Sequence, residues 1–432
     1  MICEYEAPRR ILFTRGPKAK NASVKTTSLT LYSVNEEEIL PCPLVKVADL
    51  DKYSDSRGLL KYFITTICPV VSVQTDQCNF FNTCFVPMTV DSDAVLYSLT
   101  YWAASHISIM FQRENNTISK TYETIALEQK GKAIKHLFTE LENNHTAPEI
   151  LLAASIILAE VDICAGGTSD WYFHMVGSKR IILNMHNEKS LDTSSDRSWL
   201  VRNFVYHDVL GATTLNQKPL LKASKWSGSS SVTSVLDPLM GLNGNLFSLL
   251  SEVLDTEHDE KISLEDMERK LLDLENKIIG WKPSSVPRCK ASLIAFSESY
   301  RIGALVYLYR VMNRKTRIRK DMNEPVKQLL KHIEGIPALA GPESGLSWPL
   351  FIAGGEVRNV EQANLIRDRL KLIAELSGLL QAARALEVLE ECWKYNLNVN
   401  NKTIPTQMSC NETEWLDWRS VLSNKSWKMV LT

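Results

Sequence analysis

The stretch Trp348-Pro349-Leu350-Phe351-Ile352-Ala353-Gly354-Gly355-Glu356 reads as one buried turn of helix. Trp348 and Phe351 supply large apolar surface. Pro349 fits the first helical turn, where its missing N–H costs nothing. Gly354 and Gly355 predict the close approach of another backbone. Glu356 then places a carboxylate at the end of an apolar run. Segments of helical period flank the stretch on both sides, so the fold class follows from what lies outward of it.

Toward the C-terminus, Leu365–Leu380 and Ala382–Tyr395 continue the helical series, and Trp415, Trp418 and Trp427 are expected to cover the core. Toward the N-terminus lie Val326–Ile333 and a long helix from Ala291 to Met312. The latter ends in Arg314, Lys315, Arg317, Arg319 and Lys320, cations that suit a helix C-terminus better than nucleic acid. Ser263-Leu264-Glu265-Asp266 resembles a helix start, with Ile262 and Met267 placed as a hydrophobic staple. A Ser-rich loop, Lys222–Ser234, has linker composition. Before it, Trp199–Leu215 and Trp171–Met185 are helical. Thr146-Ala147-Pro148-Glu149 reads as a capping box. It opens an almost wholly apolar helix, Ile150–Cys164, which should sit centrally and end at Gly166-Gly167. Apolar stripes at spacings of three and four run through Tyr122–Leu141 and Val95–Ile109, the latter capped by Asp91 or Ser92. A first stripe, Leu59–Ile67, is expected to stop at Cys68-Pro69, with Phe80, Phe81, Phe85 and Pro87 in a loop after it. Alternating strands are missing. The expected fold is all-α: a large array of antiparallel helices over residues 56–430, with no substantial sheet and no strict solenoid repeat.

Bulk properties narrow the function. The chain has 432 residues, enough for more than one core or a single large helical array. A formal net charge of -1 argues against whole-molecule attraction to nucleic acid or acidic lipid. No apolar run approaches the roughly 20 residues needed to span a bilayer, and no secretory h-region appears in Met1–Lys20. The nine cysteines are irregularly spaced, as suits reduced thiols rather than a disulfide frame. Residues 1–55 read as a basic tail and loop. Arg9, Arg10, Arg15, Lys18 and Lys20 could contact a DNA backbone or an import receptor, or simply be solvated.

No catalytic constellation is found. There is no G-x-S-x-G elbow, Walker loop, G-x-G-x-x-G or H-E-x-x-H, and the aspartate-rich motif of helical terpene cyclases is missing. Cys78 and Cys84 are too isolated for a structural zinc site. Catalytic, metal and cofactor sites are therefore all expected to be none. His174, His186 and His207 sit on helices without a partner His at i+4. His207 and Asp208 are adjacent and point about 100° apart, so they are expected to anchor structure rather than form a dyad. Trp102 and His106, one turn apart, either line a ligand pocket or pack.

In order, several stretches resemble the fungal-specific transcription factor domain, the regulatory region of zinc-cluster regulators. They are Leu60–Phe63 leading to Cys68-Pro69, Ala94–His106, and Ile150–Ala165 followed by Trp171-Tyr172-Phe173-His174-Met175-Val176-Gly177-Ser178. Phe204-Val205-Tyr206-His207-Asp208-Val209-Leu210, Ala304–Arg310, Trp348–Glu356 and Leu386–Trp393 follow. The resemblance singles out Trp102, His106, Trp171, His174, His207, Asp208, Trp348, Gly355 and Glu356 as core or pocket positions. It implies a nuclear regulator of transcription, not an enzyme, controlling a fungal gene cluster such as one for a secondary metabolite. A small-molecule effector and a regulator partner or homodimer come with it. An all-α pathway enzyme and an interaction scaffold are the rival readings. Full-length members of that family begin with six cysteines that bind two zinc ions. Here Cys3 is the only cysteine before Cys42 and C-x2-C occurs nowhere. The expectation is a finger-less regulator similar to the trichothecene-type toxin-cluster regulators, a start further upstream, or a cofactor for a DNA-bound partner. Glu356 is expected to pair with a nearby arginine, Arg367 or Arg369.

Overall fold

The computed structural model describes residues 53–73, 79–143, 145–185, 196–222, 237, 239–241, 243–283, 291–338, 341–399 and 415–432. The basic tail with Arg9, Arg10, Arg15, Lys18 and Lys20, His186, Cys78 and nearly all of the Ser-rich loop lie outside them.

Among the described residues the chain is all-α. The one β-type pairing is an isolated bridge between Asp237 and Gly241. The helices are α1 (Ser56–Tyr62), α2 (Cys68–Val71), α3 (Val86–Met88), α4 (Asp93–Phe111), α5 (Asn116–Glu142), α6 (Pro148–Cys164), α7 (Asp170–Met185) and α8 (Asp196–Leu215). They continue with α9 (Gly244–Glu257), α10 (Leu264–Gly280), α11 (Ala291–Lys315), α12 (Asn323–Glu334), α13 (Ser347–Gly354), α14 (Val360–Ser377), α15 (Leu380–Val399) and α16 (Trp418–Lys425). Sequence neighbours pack in pairs: α4 on α5, α6 on α7, α11 on α12, and α14 on α15.

Local chemistry sets most helix ends. Ser92 caps α4 through the Val95 N–H, and Ser263 caps α10 through Asp266. The expected box at α6 does not form. Ala147 is its N-cap and Pro148 opens the first turn, while Glu149 turns away to bond Arg197 Nε at 2.6 Å. An ion pair to α8 has replaced the local reciprocal bond. At the other end, Gly166 adopts φ 74°. Gly167 N–H donates to Asp162 O at 2.7 Å and Gly166 N–H to Ile163 O at 2.9 Å, which closes the helix in the Schellman pattern.

Two expected breaks are not breaks. The chain continues from α1 through a π turn, Phe63–Ile67, into α2. Cys68 N–H reaches back to Phe63 O, and Pro69 sits in the first turn of α2. The wider turn carries the chain past a proline without requiring its donor. The aromatic segment after it is likewise a π turn, Phe81–Phe85, running into α3 with Pro87 in its first turn.

The core centres on α6 and α8. Leu152–Ile163 is buried without interruption, as the apolar sequence requires. Helix α8 is the surprise: Ser198–Thr214 is all buried although it carries Arg202, Asn203, His207 and Asp208. Each of these finds a partner inside, Arg202 with Asp237 at 3.0 Å for one, which is the condition for burying polar groups at all.

Candidate functional site

Helices α4, α6, α8 and α15 converge on one internal pocket, lined among others by Trp102, Glu160, Cys164, Tyr206, His207 and Gln381. The space open to the centre of a water molecule is about 30 Å³. That admits a few ordered waters or the small polar end of a ligand.

Its polar groups are incompletely paired. Glu160 accepts from Asn203 Nδ2 at 2.8 Å through Oε1, while Oε2 has no hydrogen-bond partner among the described residues. Burial pushes its carboxyl up to about 8, with the Asn203 bond opposing. It is therefore mostly a neutral acid near pH 7, able to donate. Gln381 gives Nε2–H to Thr432 O at 3.0 Å and leaves Oε1 unpaired. Trp102 Nε1–H is unpaired as well, although its ring packs on Phe63 at 5.6 Å. His207 donates Nδ1–H to Asn203 O at 3.0 Å. Nε2 is thus its acceptor, and burial lowers its pKa to about 4, so the ring is neutral. Unmade buried hydrogen bonds cost about 1–3 kcal/mol each, so an occupant that completes three of them is strongly favoured.

The remaining singled-out residues are not brought here. His106 donates Nε2–H to Ser377 O at 2.9 Å and accepts from the Tyr62 hydroxyl at 2.8 Å. It locks α1, α4 and the end of α14 together, so of the Trp102–His106 pair only Trp102 faces the pocket. Asp208 accepts from Leu220 N–H at 2.7 Å and Leu221 N–H at 2.8 Å. Trp171 donates to Lys428 O at 2.7 Å. His174 Nε2 lies 3.7 Å from Asp162 Oδ2. Asp162 also accepts from Tyr101 and Lys130, both at 2.8 Å.

The Trp348 segment holds a separate buried cluster. Trp348 stacks on Tyr300, ring centroids 5.5 Å apart, and donates to Thr213 Oγ1 at 3.0 Å. The glycines admit side chains rather than backbone. A Cβ on Gly354 would lie 2.5 Å from Leu389, and one on Gly355 2.6 Å from the Trp418 ring. Glu356 pairs with Arg310 of α11, not with Arg367 or Arg369. Those two are engaged by Glu390 and Glu343. Arg310 also bonds Asp417, and its guanidinium lies 4.6 Å over the Trp418 ring. Reading along the sequence favoured arginines 11 and 13 residues away, whereas the packing of α13 against α11 chose one 46 residues away.

No group of three or more His, Cys, Asp or Glu among the described residues could hold a metal, and none of their helices is long and apolar enough to cross a membrane. Residues 58–432 match the family described as the fungal specific transcription factor domain. The chain belongs to that family. It is a family of transcription regulators, not of enzymes. Similar proteins include the transcriptional activator protein UGA3 of Saccharomyces cerevisiae, 24% identical over 353 residues, covering 69% of this chain and 66% of that protein. An uncharacterised transcriptional regulatory protein of Schizosaccharomyces pombe is 20% identical over 388 residues, covering 85% of this chain and 70% of its own. The acriflavine sensitivity control protein acr-2 of Neurospora crassa is 19% identical over 421 residues, covering 87% and 68%. This fungal domain thus spans about two thirds of the length of each relative. No solved structure matches it.

Proposed function

We propose that this fungal regulatory domain acts in the nucleus, senses a small molecule in the pocket between α4, α6, α8 and α15, and controls a secondary-metabolite gene cluster. The observation that supports sensing is the trio of unpaired buried groups, Trp102 Nε1, Glu160 Oε2 and Gln381 Oε1, on three helices around one cavity. An effector that pairs with them pulls those helices toward a single arrangement, and only such differential contact shifts a conformational equilibrium. DNA is reached through a regulator partner or a zinc module. The basic stretch around Arg9–Lys20 adds phosphate contact without base readout.

Deleting the gene and sequencing transcripts tests the regulatory role. The expected result is coordinated change in one contiguous set of biosynthetic genes. Unchanged transcripts would overturn the regulatory reading, and scattered changes the cluster reading. In a reporter strain, Gln381→Leu with Trp102→Phe should abolish the response to inducing conditions while the protein stays folded. A retained response would place sensing elsewhere. Tight, sequence-selective binding in a gel shift with the purified chain would sink the need for a partner or zinc module.

A further inference from the structure

We propose that the outer face of α5 pairs, antiparallel, with the same face of a second copy of this chain. This inference is independent of the pocket. Helix α5 packs on α4 through Tyr122, Ala126, Gln129, Ala133 and Leu137. Its opposite side carries Leu127, Ile134, Phe138 and Leu141, which are 65%, 45%, 62% and 48% exposed. Spacings of seven, four and three put all four in one stripe about 21 Å long. Gly131 interrupts the stripe, and a Cβ built there would meet nothing within 4 Å. The helix thus offers an apolar ridge with a gap where another helix can cross closely.

The charges beside the stripe select the occupant. One flank carries Lys120, Glu128, Lys135 and Glu142 around Gly131, and the other carries Glu123. On the first flank, positions related through the glycine carry opposite signs: Lys120 with Glu142, and Glu128 with Lys135. Turned end for end on a two-fold axis at Gly131, a second α5 places its Lys135 beside Glu128 and its Glu142 beside Lys120. Leu127 then meets Ile134 of the copy, and Phe138 covers the aliphatic stem of its Lys120. Each contact occurs twice, as an isologous interface requires. A parallel arrangement would set like charges against each other. Glu128 already meets Lys132 one turn along at 2.7 Å, and that lysine leans over the Tyr97 ring. Lys135 has no ion pair among the described residues.

A single crossing of two helices is small beside the roughly 1,600 Å² of a standard interface. Association is therefore expected to be reversible, with the dimer appearing over roughly 1–100 μM. Sedimentation equilibrium on the purified full chain should show a concentration-dependent rise from monomer to dimer mass. Lys135→Glu should weaken the dimer at least tenfold, and Glu128→Lys together with Lys135→Glu should restore it, because the reversed charges face each other again. Gly131→Gln should raise the melting temperature, since glutamine is the better helix former, yet weaken the dimer by filling the crossing point. That combination cannot arise from misfolding. A chain that stays monomeric across this range, or a dimer indifferent to Lys135→Glu, overturns the proposal. So does a double reversal that fails to restore association.

Discussion

Replacing Glu160 by glutamine should flatten the dependence of stability on pH between 6 and 8. In the folded protein, burial holds the Glu160 carboxyl at about 8, whereas unfolding returns it to an ordinary value near 4.5. Over this range the unfolded state has lost the proton and the folded state keeps it. Folding therefore takes up a proton, and stability falls as pH rises. The contribution is fully present below the unfolded value and is lost as pH rises through the folded one. Each pH unit costs about 1.4 kcal/mol, reduced near pH 8 where the folded carboxyl itself ionises, so about 2 kcal/mol is lost from pH 6 to 8. Glutamine keeps an acceptor for Asn203 Nδ2 and a donor toward the cavity, and it does not titrate. Asp208, pushed by burial to about 7, loses stability in the same direction, and for that reason the difference between wild type and Glu160→Gln is the quantity to measure. Urea unfolding followed by circular dichroism at both pH values supplies it. Equal loss in both proteins would mean that Glu160 is ionised or solvated in the fold, and the account of the pocket as a set of unpaired buried groups would be wrong.

Arg310→Met should destabilise by about 3–5 kcal/mol, because it leaves Glu356 and Asp417 buried with less compensating charge; a melting temperature unchanged from wild type would refute this. Gly355→Ala forces its methyl against the Trp418 ring and should cost about 1–3 kcal/mol, read as a lower urea midpoint and a change in tryptophan fluorescence. Asp208→Ala strands two N–H groups at Leu220 and Leu221, in the segment after α8, and should cost about 1–3 kcal/mol; hydrogen exchange at those two amides should speed up before that of α8 itself.

Much of the helical series is legible from local pattern. The stripe through Val95–Ile109 and the uninterrupted apolar run of α6 both state a helix and its burial without reference to any distant residue. The starts of α4 and α10 are equally local, since a serine hydroxyl bonds an amide three residues on. The departures are just as specific. The π turns before Pro69 and Pro87 look like breaks in sequence because a proline ordinarily ends a 3.6-residue pattern. Helix α8 shows His207 and Asp208 as anchoring residues, but nothing in its sequence says which groups its arginine, asparagine, histidine and aspartate will pair with. The pocket was half visible, with Trp102 and His207 singled out. Glu160 was hidden within an apolar helix, where one carboxylate in such a run was the signal to follow. Gln381 carried no signal at all.

Sequence alone determined that this is an all-α chain, because periodicity is a local property that survives without coordinates; the fungal regulatory family came from the resemblance of its ordered segments, not from that periodicity. It also determined that Trp348–Glu356 is buried and that Glu356 needs an arginine. Tertiary structure decided which arginine, and which polar groups share a cavity. The reason is physical. A buried charge accepts any partner of opposite sign and adequate geometry, so the choice among candidates is made by which helices come into contact. That is settled by packing over the whole core rather than by distance along the chain.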